Sequence, residues 1–195
     1  GTTRAALFTE YGDFVTSLRG CYITAEDVGT TTVDTANVFS HCRFTVCIPE
    51  RLGGRGNPSP MTARGVLSGM EAAFAFSRQG GIEGKTIAVQ GLGNVSIPLI
   101  GHLFEKKAKR VVACDIFPES VQKAQDTFKG ENFEAKCVDR HDTWIYEQAC
   151  DIFSPCATGG KLNPDSIPLL KCKIVCGAAN NQLKDTVRDA KLLME

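Results

Sequence analysis

The chain has 195 residues, which suits one domain with a hydrophobic core, or one domain plus part of another. Its 22 basic and 22 acidic side chains balance to a formal net charge of zero. This balance argues against nucleic acid or an anionic membrane surface as a partner. No apolar run is long enough to span a bilayer, so no membrane partner is expected.

Cysteine is frequent, with nine residues. None forms a CxxC motif or pairs with histidine at zinc-finger spacing, so no metal site is predicted. Several lie inside apolar runs, as Cys114 and Cys176 do. They are predicted to be reduced, buried thiols that pack as small hydrophobic side chains, and a secreted disulfide framework is the minor alternative. A reducing compartment follows, either the cytoplasm or the mitochondrial matrix.

The first part of the chain has irregular patterning. Residues 4–18 are predicted to be helical, and residues 23–29 form a strand end or a loop. Residues 45–60 are rich in glycine and proline and are predicted to be a loop. An amphipathic helix is predicted over residues 61–77, because its apolar residues recur on one face.

After residue 80, short apolar runs alternate with helical patterns. Strands are predicted at residues 86–90, 111–114, 133–138, 150–154 and 173–176. Helices are predicted at residues 95–107, 118–128, shortly after 163–164, and from about 182 to the end. Such alternation predicts an α/β fold, a Rossmann-like doubly wound and mostly parallel sheet of about five strands.

A glycine loop follows the first of these strands. Gly91-Leu92-Gly93-Asn94-Val95-Ser96 matches a dinucleotide-binding loop at its first two glycines and has serine in place of the third. The first glycine permits the tight turn and the second lets the backbone approach a pyrophosphate, whereas the third only allows close packing of helix on strand. The loop is therefore predicted to bind phosphates at the start of the next helix. A glycine turn in another doubly wound fold is the alternative.

An acidic residue ends the next predicted strand. Asp115 is placed where a carboxylate accepts hydrogen bonds from the adenosine ribose hydroxyls. Its charge repels a 2′-phosphate, so NAD is predicted rather than NADP. Arg110 lies at the far end of the same strand, too distant to reverse this preference.

Four stretches resemble one enzyme family. The segment from Glu83 to Val95 resembles the opening of the cofactor domain in leucine-dehydrogenase-like members of the glutamate/leucine/phenylalanine/valine dehydrogenase family. Residues 22–30 (YITAEDVGT), 56–63 (GNPSPMTA) and 179–184 (ANNQLK) resemble its active-site acidic loop, its inter-domain segment and the stretch after its fifth cofactor-domain strand. The resemblance implies a remnant of the substrate domain and the inter-domain segment at residues 1–60. It implies an NAD-binding Rossmann domain at residues 61–195.

The resemblance also implies roles for individual residues. Asp27 is implied to be the catalytic carboxylate that moves protons to and from the substrate amine or its imine, and Asn181 to contact the substrate. The residues implied to contact NAD are Thr62, Gly91, Gly93, Asn94, Val95, Asp115, Ile116, Cys156, Ala157 and Asn180.

The residues themselves leave simpler alternatives open. Asp27 can cap a loop, and Thr62 can cap the helix that begins near it. Asn180 and Asn181 suit a turn, and Cys156 can be another buried thiol.

The family's chemistry depends on lysines in a glycine-rich segment upstream of the acidic loop. The single Gly-Gly-Lys here, at residues 159–161, lies in the cofactor half. The expectation is therefore the NAD-binding part of an L-amino-acid dehydrogenase acting on a branched-chain or apolar amino acid, shortened at both ends and inactive by itself. A shortened, non-catalytic homologue that binds a nucleotide or a protein is the alternative. Assembly into a homo-oligomer is left open.

Overall fold

A computed structural model describes residues 2–194. The chain divides into two compact units, residues 1–58 and residues 59–195. The sequence predicts a boundary two residues later, and the assignment of the first unit to a substrate domain stays a prediction. Within the described residues, no helix combines the length and apolar character needed to cross a bilayer.

The first unit contains helices α1 (Thr2–Ser17) and α2 (Thr32–Phe39) and a 3-10 turn at Glu50–Leu52. Its small core joins the two helices through Val15, Val38 and Cys42. Helix α2 was not predicted, because it has only eight residues. Its start is held by Asp34, whose carboxylate accepts a hydrogen bond from the backbone N–H of Thr31 at 2.8 Å.

The second unit contains all the strands. They are β1 (Thr86–Gln90), β2 (Arg110–Asp115), β3 (Phe133–Cys137), β4 (Ile152–Pro155) and β5 (Ile174–Val175). The helices are α3 (Ser59–Phe76), α4 (Ser96–Glu105), α5 (Pro118–Thr127) and α6 (Arg188–Met194), with a 3-10 turn at Ile167–Leu169.

The sheet is parallel throughout, in the order β3-β2-β1-β4-β5. Strands β1, β2 and β4 are almost wholly buried because apolar clusters cover both faces of the sheet. One cluster includes Ile87 and Leu99, and the other includes Val112 and Phe153. This arrangement confirms the predicted α/β fold with a parallel sheet of five strands.

Several details differ from the expectations. Helix α6 begins at Arg188 rather than near 182, because residues 180–187 form turns and a bridge to Leu162. The nine thiols are all free, but only Cys42 and Cys114 are buried, and Cys21 and Cys137 are exposed. The prediction of buried thiols is confirmed for Cys42 and Cys114. It is wrong for Cys21, which follows α1 in a turn, and for Cys137, which lies on the outer strand β3.

Candidate functional site

The first glycine of the loop is required by the backbone. Gly91 follows β1 directly, and its φ is +95°, a region that side chains with a Cβ rarely adopt. A Cβ placed there lies 3.1 Å from the backbone nitrogen of Ala157 and 3.1 Å from the carbonyl oxygen of Cys156. The turn therefore needs glycine both for its conformation and for the close approach of the chain after β4.

The second glycine is in a different environment. A Cβ added at Gly93 meets no atom within 4 Å, so the space beside this backbone is open. Gly93 and Asn94 are exposed, and Val95 is half-buried immediately before α4. At the start of α4 the N–H of Ile97 donates to the carbonyl of Gly93 at 3.2 Å, and Pro98 has no N–H. The backbone N–H groups that an anion could use therefore belong to the loop just before them. This stretch can receive an anionic group.

Serine replaces the third glycine. Ser96 is fully buried, and its hydroxyl has no hydrogen-bond partner among the described residues. The replacement is thus accommodated in the contact between α4 and the sheet, away from the open face of the loop. It leaves a buried polar group unsatisfied, which is unfavourable to folding.

Asp115 ends β2 and binds the glycine loop. One carboxylate oxygen accepts the backbone N–H of Leu92 at 2.6 Å, and the other accepts the N–H of Phe117 at 3.0 Å. The side chain is half-buried, and Ile116 beside it is 38% exposed. The carboxylate predicted from the sequence therefore lies against the glycine loop, where each oxygen keeps capacity for a further hydrogen bond.

The chain leaving β4 forms the opposite wall of the loop. The N–H of Cys156 donates to the carbonyl of Gln90 at 2.9 Å, which continues the pairing of β4 with β1. The sulfur of Cys156 lies 3.4 Å from the hydroxyl of Ser154. Ala157 is exposed, and its own Cβ lies 3.1 Å from a Cβ placed at Gly91. Both residues thus lie beside the turn, and their contact with the cofactor stays a prediction.

The two asparagines follow β5. Asn180 and Asn181 are exposed, and Asn181 has a φ of +48°, so the pair forms a turn. The N–H of Gly160 donates to the carbonyl of Asn181 at 2.8 Å, and a Cβ at Gly159 lies 2.6 Å from the carbonyl oxygen of Asn180. This turn therefore packs on the loop that leaves β4. This geometry is consistent with the simple turn that the two asparagines suggest and also with a position near the cofactor site.

Thr62 lies in the first turn of α3 and is exposed. One helical turn later, the carbonyl of Val66 accepts a long hydrogen bond of 3.8 Å from the thiol of Cys176, just after β5. Residues four apart lie on the same face of a helix, so Thr62 occupies the side of α3 that faces this end of the sheet.

Asp27 belongs to the first unit and lies in an exposed turn. Its carboxylate accepts the N–H of Val28 at 2.7 Å, and its carbonyl accepts the N–H of Thr30 at 2.9 Å. Its neighbour Glu26 is half-buried, and desolvation together with the charge of Asp34 raises the pKa of Glu26. The catalytic role of Asp27 stays a prediction.

One hydrogen-bonded pair of polar side chains near the site was not predicted from the sequence. Gln90 ends β1 buried, and its amide donates a 2.8 Å hydrogen bond to the hydroxyl of Tyr146, whose pKa is raised by burial. The side-chain amide oxygen of Gln90 has no partner among the described residues. The sequence feature that could have indicated this pair is a glutamine at the end of an otherwise apolar strand. Within residues 2–194, no group of three His, Cys, Asp or Glu side chains is arranged to hold a metal.

No protein-family model matches the chain. Leucine dehydrogenase of Bacillus subtilis (strain 168) is 48% identical over 182 residues, which are 92% of this chain and 48% of that protein. Leucine dehydrogenase of Geobacillus stearothermophilus is 47% identical over 182 residues, again 92% of this chain and 47% of that protein. The chain belongs to the amino-acid dehydrogenase family, as a leucine-dehydrogenase-like member.

This dehydrogenase homologue spans about half the length of the curated relatives it matches. Among solved structures, L-tryptophan dehydrogenase from Nostoc punctiforme is 34% identical with a TM-score of 0.69, and the match covers 97% of this chain and 52% of that one. The hetero-hexameric glutamate dehydrogenase of Thermus thermophilus is 21% identical with a TM-score of 0.71. That match covers 97% of this chain and 49% of the other, and it supports the Rossmann-type fold alone.

Proposed function

We propose that the second unit binds NAD(H) at the carboxyl edge of its sheet, as the cofactor-binding part of an L-amino-acid dehydrogenase. The observation that carries the proposal is the pairing of the glycine loop with Asp115. The Leu92 N–H binds the carboxylate, while Gly93 beside it is open to an approaching group. Ligands of open α/β sheets bind at this edge, where the strand order reverses between β1 and β4.

The residues present suit a dinucleotide. The glycine loop before α4 offers backbone N–H groups to the pyrophosphate, and Gly93 allows its close approach. Asp115 and Ile116 are assigned to the adenosine ribose. Cys156, Ala157, Thr62 and Asn180 are assigned to the nicotinamide half, because they follow or face the ends of β4 and β5.

Charge favours NAD over NADP in this proposal. The carboxylate of Asp115 repels a 2′-phosphate. Arg110 lies at the opposite end of β2 and pairs with Glu134. Lys136 lies over the ring of Trp144, 5.1 Å from its centroid.

The reaction of the whole enzyme is proposed by extension from the relatives. Bound NAD would supply the hydride acceptor for Cα of a branched-chain or other apolar L-amino acid. Asp27 is assigned the proton transfers at the substrate amine, for which a carboxylate is apt. Asn181 is assigned to substrate contact. Residues 1–195 alone are expected to show no turnover with leucine, valine or phenylalanine, and NADH absorbance measures this.

Binding of NADH tests the cofactor assignment. Calorimetry should show saturable binding of NADH by the chain, and weaker binding of NADPH. Asp115→Asn keeps an oxygen that accepts the Leu92 N–H but removes the charge. We expect it to lower the affinity for NADH about tenfold and the affinity for NADPH much less, since a hydrogen bond to a charged group contributes about 1.5–3 kcal/mol.

Asp126→Asn is the matched control, because Asp126 is exposed on α5 and its carboxylate accepts a hydrogen bond from Gln122, one turn earlier in that helix. It should leave both affinities unchanged. No saturation up to millimolar NADH contradicts the cofactor site. Equal losses for the two cofactors with Asp115→Asn contradict the ribose role of Asp115.

A further inference from the structure

Two cysteines face each other across neighbouring parallel segments. Ala149 pairs with Lys171, and β4 pairs with β5 in the same register, so Cys150 is opposite Cys172. Directly opposed residues point to the same face, and both thiols pack against the same apolar cluster. Neighbouring strands lie about 4.8 Å apart, within the Cα separation of about 4.4–6.8 Å that a disulfide needs.

The two sulfurs are chemically unequal. The interaction between the two neighbouring thiols raises the pKa of Cys150 and lowers that of Cys172. Backbone N–H groups of Phe153 and Ile174 also stabilise the Cys172 thiolate, against the opposing effect of burial. Cys172 is therefore the better nucleophile, with a protonated thiol directly beside it.

Cys172 lies beside a surface cavity. Cys172 is half-buried and lines a cavity of about 340 Å³ together with Leu170, Lys173, Val175 and Leu192, among others. A small oxidant such as hydrogen peroxide fits within this volume. A thiolate with both access and an adjacent thiol has the features of a redox-reactive pair.

We propose that Cys150 and Cys172 form a redox-active pair, which peroxides convert into a disulfide and dithiols restore. The Cys172 thiolate attacks one peroxide oxygen, the O–O bond breaks, and a sulfenic acid and hydroxide form. Cys150 then attacks that sulfur, the S–S bond forms, and the S–O bond breaks. The hydroxyl leaves as water with the Cys150 proton, and the released hydroxide takes up the proton that Cys172 had lost. Two thiols lose two electrons and one peroxide becomes two waters.

The disulfide crosslinks the segments that enter β4 and β5. Cys156 and Asn180 follow the opposite, carboxyl ends of these strands. The crosslink therefore constrains the sheet edge without occupying the cofactor loops. We expect oxidation to raise the unfolding temperature by about 5 °C, because the bond restricts the unfolded chain. NADH affinity should change less than twofold.

The experiment treats the chain with hydrogen peroxide and follows each cysteine by alkylation and mass spectrometry. We expect loss of two thiols, loss of two hydrogen atoms in mass, and a peptide linked through Cys150 and Cys172. Dithiothreitol should reverse all three changes. In the unmodified chain, Cys172 should oxidise at least tenfold faster than the exposed Cys137, a comparison that needs no variant.

Single substitutions distinguish Cys172, which attacks the peroxide, from Cys150, which then forms the disulfide. With Cys150→Ala, Cys172 should stop at a sulfenic acid that dimedone traps. With Cys172→Ala, Cys150 should resist the same treatment. Cys137→Ala is the matched control and should still form the disulfide. Absence of the linked peptide, a link between other cysteines, or oxidation of Cys137 as fast as Cys172 overturns the proposal.

Discussion

The two ends of the parallel sheet are built differently. At the carboxyl end, the loops after β1, β2 and β4 meet around open backbone, with Gly93 exposed and no atom near its missing Cβ. At the amino end, the loops are closed by polar links. Asp151 exchanges backbone and side-chain hydrogen bonds of 2.8 Å with Thr86, and its carboxylate lies 3.6 Å from the amine of Lys85.

The difference follows from chain direction. In a parallel sheet every helix starts near the carboxyl ends of the strands, so unpaired N–H groups and positive helix ends gather there. The helices end near the amino ends of the strands. The backbone groups there can form hydrogen bonds with short side chains. Substitutions at the carboxyl end should therefore separate binding from stability, whereas those at the amino end should affect stability alone.

The largest effect is expected from the glycines. Gly91→Ala should lower the free energy of unfolding by about 2–3 kcal/mol, because its φ is positive and its Cβ would crowd the Ala157 backbone. Gly93→Ala should lower the free energy of unfolding by less than about 1 kcal/mol. It should lower the affinity for NADH more than about tenfold, because the methyl group blocks the approach of the pyrophosphate. Urea unfolding and calorimetry measure the two quantities.

Equal stability losses for the two alanine variants contradict the assigned difference between the glycines. Gly81→Ala serves as the control, since its added Cβ meets no atom within 4 Å and the residue lies before β1. It should change neither stability nor binding.

At the amino end, Asp151→Ala should lower the free energy of unfolding by about 1–2 kcal/mol and leave NADH affinity unchanged. The loss arises because the Thr86 N–H loses its side-chain acceptor. Asp151→Asn keeps an acceptor oxygen, so its loss should be less than half as large. A change in NADH affinity with Asp151→Ala would show that the two ends are coupled.

The smallest effect is expected at Ser96. Ser96→Ala removes a buried hydroxyl that has no partner among the described residues, so it should raise the free energy of unfolding by about 1 kcal/mol. Ser154→Ala is the control, because that buried hydroxyl contacts the Cys156 sulfur and its removal should not stabilise. Thermal unfolding measures both, and destabilisation by Ser96→Ala would mean that the hydroxyl is satisfied in solution.

Local patterns predicted much of the second unit. The apolar runs at residues 86–90 and 110–115 are buried on both faces, and such runs indicate central parallel strands. Helix α2 and the late start of α6 were missed because short helices depend on capping and tertiary contacts more than on periodicity. The strand predicted at residues 173–176 has two residues in the structure, because β5 is an edge strand that pairs on one side only among the described strands.

The sequence by itself determined that a glycine loop follows a buried strand, that Asp115 ends the next one, and that four motifs match one enzyme family. These are local features, set by residue type and spacing. Only the tertiary structure decided that Asp115 binds the Leu92 amide, that the chain after β4 packs on Gly91, and that Cys150 faces Cys172. Those contacts depend on strand order and register, which arise from packing between segments distant in sequence.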